Sequence, residues 1–160
     1  IPMIGFMFNK ADVRMKGCRI AREIFEMDEA DDESWDTEYN DMIINIRIAD
    51  DLDDAIHFIN EHSSKHTDVI MTEDEEAAKK FEKEVDSSCV FWNCSSRFSD
   101  GFRFGKGAET GISTGKVHAR GPVGLEGLVI YKYVLEGSGG TVEEYTKKGY
   151  THKRTDERWQ

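Results

Sequence analysis

The residues best suited to chemistry lie between Asn93 and Arg120. Asn93, Ser95, Ser96 and Arg97 follow an apolar run, Cys89–Trp92, with only Cys94 interposed among them. An amide, two hydroxyls and a guanidinium make a donor set for an anion, and Arg97 can hold a phosphate or carboxylate at two points. The same residues also suit a tight turn, in which Ser95 and Ser96 satisfy backbone groups and Arg97 pairs with an acidic neighbour. Residue types alone leave the two readings level. Gly101, Gly105, Gly107 and Gly111 then frame Arg103, Lys106, Glu109, Ser113 and Thr114. Glycine is entropically poor in a helix, so this run is a loop. It serves either to face N–H groups and hydroxyls toward an anion or to make a connection that needs positive φ. No Gly-Lys-Ser/Thr closes it, which excludes a P-loop. His118 and Arg120 stand in VHARGP. His118 has no oriented partner by spacing and reads as a tether, while Arg120, beside Gly121 and Pro122, divides evenly between tether and ligand contact.

These residues need elements to position them. Ile44, Ile46 and Ile48 alternate with Asn45 and Arg47, the pattern of a half-covered strand. Asp50 or Asp51 caps a helix with Leu52, Ala55, Ile56 and Ile59 on one face. Val69–Met71 is a short buried strand. Thr72 with Glu75 forms a capping box for a helix running through Ala77, Ala78, Phe81 and Val85. Cys89–Trp92 is the next strand. Strand–helix–strand–helix–strand predicts a parallel sheet with right-handed crossovers. Ligands of such sheets bind beyond the carboxyl ends of the strands, where Asn93 begins. Nearer the start, Ile1–Phe8 reads as the end of a helix and Val13–Gly17 as a short strand. Ile20, Ile24 and Phe25 line a short helix, and the acidic run Met27–Asp36 is an exposed loop. Val129, Tyr131, Tyr133 and Leu135 alternate as a last strand. Gly137–Gly140 breaks it, and the polar tail to Gln160 is loosely held.

At 160 residues the chain builds one core of ordinary size. Its 32 acidic and 21 basic residues give a net charge of −11, which argues against nonspecific binding to nucleic acid or to an anionic membrane. No apolar run approaches a membrane span, and none reads as a signal peptide. A start at Ile1 rather than Met predicts an internal cut in a longer polypeptide, or processing. Three cysteines without repeated spacing, Cys18, Cys89 and Cys94, are not a disulfide framework and fit a reducing compartment. His62 and His66 are four apart but flank Ser63, Ser64 and Lys65 at a helix end, so no metal site is expected from them or from His57.

The stretches VDSSCVFWNCSSRFSDGFRFGKGAETGIST and KVHARGPVGLEGL resemble the C-terminal part of gamma-glutamyl phosphate reductase (glutamate-5-semialdehyde dehydrogenase). EYNDMIINIRIADDLDDAIHFINEHSSKHTDVIMTEDEEAAKKFEKEVDSS is similar to the same family. The resemblance runs in register from about Ala11 to Tyr133 and more loosely to His152. It implies an α/β fold: a partial three-layer parallel-sheet domain of the aldehyde dehydrogenase superfamily over residues 1–126. A C-terminal oligomerisation-type strand over 127–136 and a flexible tail over 137–160 would follow.

The family reduces L-glutamate 5-phosphate with NADPH to L-glutamate 5-semialdehyde, releasing phosphate, in proline synthesis from glutamate. The resemblance implies substrate contacts from Asn93, Ser95, Ser96, Arg97, Ser113, Thr114 and Arg120. Glu38, in TEYND, resembles the Glu that touches the nicotinamide ribose in the superfamily; by composition alone it is one more charge ending an acidic run. The superfamily's nucleophilic Cys has no counterpart here, since Cys18, Cys89 and Cys94 all align away from it. The resemblance therefore implies no catalytic residue within the chain and no activity by the chain alone. NADPH (or NADP) would be bound mainly by a missing N-terminal part. The implied partners are the rest of the reductase chain, with or without a glutamate 5-kinase domain, and further copies in a homo-oligomer. The compartment would be cytoplasmic, or mitochondrial or plastid for a eukaryotic bifunctional delta-1-pyrroline-5-carboxylate synthase. The competing reading is a stand-alone noncatalytic α/β module that binds an anion or pairs with a partner subunit.

Overall fold

A computed structural model describes residues 2–148 and divides the chain into two compact units, 1–129 and 130–160. In the first unit, helix α1 (Pro2–Lys10) opens on a proline, whose fixed φ suits the first helical position. It buries only Gly5, because a Cβ there would stand 2.7 Å from the Phe25 ring. Strand β1 (Arg14–Gly17) follows, then helix α2 (Arg19–Ile24) and strand β2 (Asp28–Glu29). Strand β3 (Ile43–Ile46) completes a three-stranded parallel sheet in the order β2-β1-β3, with Met15 opposite Ile44 and Lys16 opposite Asp28.

Two expectations fail in this sheet. Ile20 and Ile24 do not line the buried face of α2; both are substantially exposed, and Ala21 is fully buried instead. The helix crosses close over Gly17, where only a methyl group fits. The acidic run is not a free loop either. Asp28 and Glu29 join β1, and Asp32–Asp36 forms a 3-10 turn that buries Ser34 to 1% exposure. Asp31 caps this turn, accepting from the Ser34 N–H at 2.9 Å and from its hydroxyl at 2.5 Å. Lys16 Nζ donates to Ser34 Oγ at 3.3 Å. Charge density hid a buried serine and its donors.

The second parallel ladder pairs strand β4 (Thr67–Ile70) with strand β5 (Cys89–Trp92), Thr67 opposite Cys89 and Ile70 opposite Trp92. Helices α3 (Leu52–His62) and α4 (Glu75–Glu84) supply the core that covers it. Ile56, Phe81 and Val85 are buried, and Leu52, Ile59, Ile70 and Val90 pack on them. Asp51 caps α3 by accepting from the Asp54 N–H, as its position predicts. The cap of α4 is not Thr72. Asp74 accepts from the Glu76 and Ala77 N–H groups, and Thr72 Oγ1 instead accepts from the Asp74 N–H. A carboxylate aimed at two donors outcompetes a hydroxyl placed two residues too early.

A single parallel sheet was expected, yet β3 and β4 share no ladder. A cleft of about 280 Å³ is lined by Asn45 and Arg47 of the β3 segment and by Asp68 of β4, together with Phe58 and His62. The glycine-rich run also holds structure that its composition did not suggest. Strands β6 (Gly111–Ser113) and β7 (Gly121–Val123) pair antiparallel, Ser113 opposite Gly121.

The alternating stretch from Val129 to Leu135, all but its first residue in the second unit, forms no strand among the described residues. A strand exists only where ladder partners take up its N–H and C=O groups. Ile130, Tyr131, Tyr133, Val134 and Leu135 are all at least 69% exposed. Helix α5 (Val142–Lys148) lies where a flexible tail was expected. Thr141 and Glu144 cap it reciprocally, Glu144 N–H to Thr141 Oγ1 at 3.3 Å and Thr141 N–H to Glu144 Oε2 at 3.2 Å. The tail from 149 onward lies outside the described residues. Among the described residues no helix is long and apolar enough to cross a membrane.

Candidate functional site

The carboxyl ends of β4 and β5 are locked together by Asn93. This residue adopts a left-handed φ of 51°, which Asn tolerates. Its Oδ1 accepts from the Thr72 N–H at 2.9 Å and its Nδ2 donates to the Thr72 carbonyl at 2.7 Å. Trp92 Nε1 donates to the same carbonyl at 2.9 Å. Both arms of the Asn93 amide are thus engaged by backbone. Ser95 Oγ accepts from the Arg97 N–H at 3.2 Å and caps the short turn Ser96–Phe98. Ser95 is therefore a turn residue first. Ser96 and Arg97 are exposed on that turn, and the Arg97 guanidinium makes no ion pair among the described residues. Among the described residues Arg97 has no acidic neighbour of the kind a purely structural role would need.

The loop beyond closes on itself. Glu109 Oε2 accepts from the Gly101 N–H at 3.0 Å, and the Lys106 N–H donates to the Gly101 carbonyl at 2.8 Å. Gly101 is needed at this closure, since a Cβ would stand 2.6 Å from the Gly107 carbonyl oxygen. Arg120 is a tether. Its Nη1 meets Asp86 Oδ1 and its Nη2 the Asp86 carbonyl, each at 3.0 Å, while Lys116 Nζ reaches Asp86 Oδ2 at 2.5 Å. The substrate contact implied for Arg120 thus has a competing, observed partner. His118 is also a tether, with its ring Nε2 2.8 Å from the Gly127 carbonyl oxygen.

Lys116, and after it Arg120, holds the Asp86 carboxyl below the usual carboxylate range. A depressed carboxylate stabilises the fold above its unfolded pKa of about 3.9, and that contribution is lost as pH falls through the lower folded value. Asp86→Asn is therefore expected to lower Tm by a constant amount above about pH 5, with the gap closing in stronger acid. Thermal melts of both proteins across that range check it. A gap independent of pH would remove the ion pairs from the account.

Glu38 and Thr114 are brought together. They line one open cleft of about 770 Å³ with Trp35, Asp36, His62 and His66. Glu38 is exposed and has no ion-pair partner among the described residues. Asn93, Ser95, Ser96, Arg97, Ser113 and Arg120 do not line this cleft. Sequence reasoning missed Asp86, and it missed Asp36, whose Oδ1 lies 2.9 Å from His62 Nδ1. Spacing offers His57, His62 and His66 only a metal-ligand reading, and among the described residues no cluster of His, Cys, Asp or Glu is placed to hold a metal.

All three cysteines are free thiols. Cys89 is buried and accepts from Ser99 Oγ at 3.2 Å. Burial works to raise the Cys18 thiol, but the backbone N–H groups of Ile48, Ala21 and Ile20 outweigh it and hold its pKa below the ordinary value.

No family model matches the chain. Its relatives are nonetheless close. A gamma-glutamyl phosphate reductase of Natronomonas pharaonis is 48% identical over 99% of this chain and 37% of its own length. One of Acetivibrio thermocellus is 47% identical over the same shares. The crystal structure of gamma-glutamyl phosphate reductase from Thermotoga maritima superposes with a TM-score of 0.83 at 43% identity, covering 88% of this chain and 34% of that one. With its parallel strands and alternating helices, the chain is part of an aldehyde dehydrogenase-like α/β domain. Over nearly its whole length it is similar to one part of the gamma-glutamyl phosphate reductases. The chain spans about 37% of the length of the curated relatives it matches.

Proposed function

We propose that this chain is the C-terminal portion of an NADPH-dependent reductase that converts L-glutamate 5-phosphate to L-glutamate 5-semialdehyde with release of phosphate. The observation that carries this reading is identity of 47–48% extending through 99% of the chain. Within it, Arg97 and Ser96 at the end of β5 are the donors for the acyl phosphate, with the unpaired guanidinium supplying a charge-assisted two-point contact. Asn93 contributes indirectly, by fixing the strand ends from which that turn departs. Ser113 and Thr114 contribute hydroxyls from the β6 end. NADPH, when bound, supplies the hydride. Glu38 fits that cofactor's ribose diol, because a carboxylate without a partner, at the edge of an open cleft, accepts from two hydroxyls. The rest of the reductase polypeptide provides the nucleophile.

Arg97→Lys in the complete reductase tests the assignment. Lys keeps the charge but loses the planar fork. Loss of one charge-assisted contact is worth about 1.5–3 kcal/mol, so kcat/KM for the acyl phosphate should fall roughly tenfold or more. The reverse reaction with glutamate 5-semialdehyde, NADP and phosphate reads the same contact through the KM for phosphate. Unchanged kinetics in both directions would make Arg97 a surface residue.

A further inference from the structure

We propose that His62 is a positioning residue for the Glu38 edge of the cleft, acting through Asp36. The proposal rests on the reading of Glu38 as the acceptor for the cofactor ribose. The inner side of the segment that carries Glu38 is held by several contacts. Asn45 Nδ2 donates to the Ser34 carbonyl at 2.5 Å, Thr37 Oγ1 to the Glu33 carbonyl at 2.7 Å, and the Tyr39 hydroxyl to Asn45 Oδ1 at 3.2 Å. Lys16 Nζ lies 5.2 Å above the Tyr39 ring. On the cleft side, Asp36 is held by His62, Nδ1 to Oδ1 at 2.9 Å. Asp36 makes no other side-chain hydrogen bond or ion pair among the described residues.

His62 is itself oriented by a stack of planar groups. Its ring sits 4.4 Å from the Phe58 centroid, Trp35 meets Phe58 edge-on at 5.4 Å, and the Arg47 guanidinium lies 4.4 Å over Phe58. Arg47 is locked by two 2.9 Å bonds to Asp54. The imidazole therefore presents Nδ1 to Asp36, while Nε2 faces Glu61 at 3.9 Å. Among the described residues Glu38 has no anchor of its own, so its carboxylate is placed by the Asp36–Thr37 backbone. Ligand contacts lose much of their strength when the acceptor moves by even about 1 Å. A plain surface role for His62, at the carboxyl end of α3 where a cation is favourable, would not depend on Glu38.

The test uses the complete reductase and two readouts: the Kd for NADPH by equilibrium fluorescence titration, and kcat. His62→Phe keeps the ring stack and removes the N–H donor. His62→Asn keeps an N–H near the Nδ1 position. His62→Phe should raise Kd about fivefold to tenfold, less than the full worth of one hydrogen bond to a charged group because the effect reaches Glu38 only through Asp36, with kcat at saturation little changed. His62→Asn should restore Kd to within about twofold of the parent. Glu38→Gln alone should weaken NADPH, and His62→Phe added to it should cost nothing more, because the coupling is then gone. Failure of Glu38→Gln to weaken NADPH would overturn the reading of Glu38 and this proposal with it. Weakening by Glu38→Gln, together with either an unchanged Kd in His62→Phe or an equal loss in both backgrounds, would overturn the positioning role alone. So would a drop in Tm with Kd unmoved.

Discussion

The purified 160-residue chain is expected to show no reductase turnover. The resemblance implies chemistry that begins with a thiolate attacking the acyl carbon, and none of the three thiols here is placed to do so. Cys89 is 6% exposed and already accepts a hydrogen bond from Ser99. Cys18 is held below its ordinary pKa, yet its sulfur accepts from the Ile48 N–H at 3.5 Å at the start of α2. Cys94 follows Asn93, whose amide pins that backbone to Thr72. Loss of a nucleophile costs on the order of 10⁶ in kcat. The assay is the reverse reaction with glutamate 5-semialdehyde, NADP and phosphate, followed at 340 nm as roughly standard for nicotinamide reduction. Turnover by the pure chain that disappears on substituting Cys18, Cys89 or Cys94 would overturn the assignment. Anion binding without turnover agrees with it.

The second large effect concerns assembly. Ending the complete reductase after Gly127 is expected to convert an oligomer into smaller or aggregated species. The segment so removed exposes Tyr131 at 80%, Tyr133 at 89% and Leu135 at 98%, along with Ile130 and Val134. An extended apolar run with unpaired backbone groups is a template for a strand of another copy. Fully burying Ile130, Val134 and Leu135 in each of two copies would contribute about 9–18 kcal/mol. That offsets an association cost of about 4–15 kcal/mol. Light scattering on the truncated protein measures it. An unchanged mass at unchanged solubility would assign these residues to packing within one copy.

The helices and strands of the βαβ core were legible from the residues because each is specified locally. Leu52, Ile56 and Ile59 recur at the helical period behind a capping Asp51, and Phe81 and Val85 recur four apart. Cys89–Trp92 is a short apolar strand followed at once by turn residues. Those signals lie within a few residues of one another, so no knowledge of packing is needed to read them. The polar turn that carries Ser96 and Arg97 was legible for the same reason.

The sequence by itself determined the alternation of strands and helices, the placement of a polar turn at the end of β5, and the likeness to one enzyme family. Only the tertiary structure decided which polar groups remain available to a ligand. Asn93 is engaged by Thr72 across 21 residues, Arg120 by Asp86 across 34, and His62 by Asp36 across 26. Each pairing depends on how distant segments are packed, and composition gave the same weight to the engaged Arg120 as to the open Arg97. Ser34 and Glu38 belong to one acidic run, yet packing buries the first and leaves the second at the edge of a cleft. A side chain's chemistry is fixed by its type, but its availability is fixed by its partners, and those are supplied by the fold.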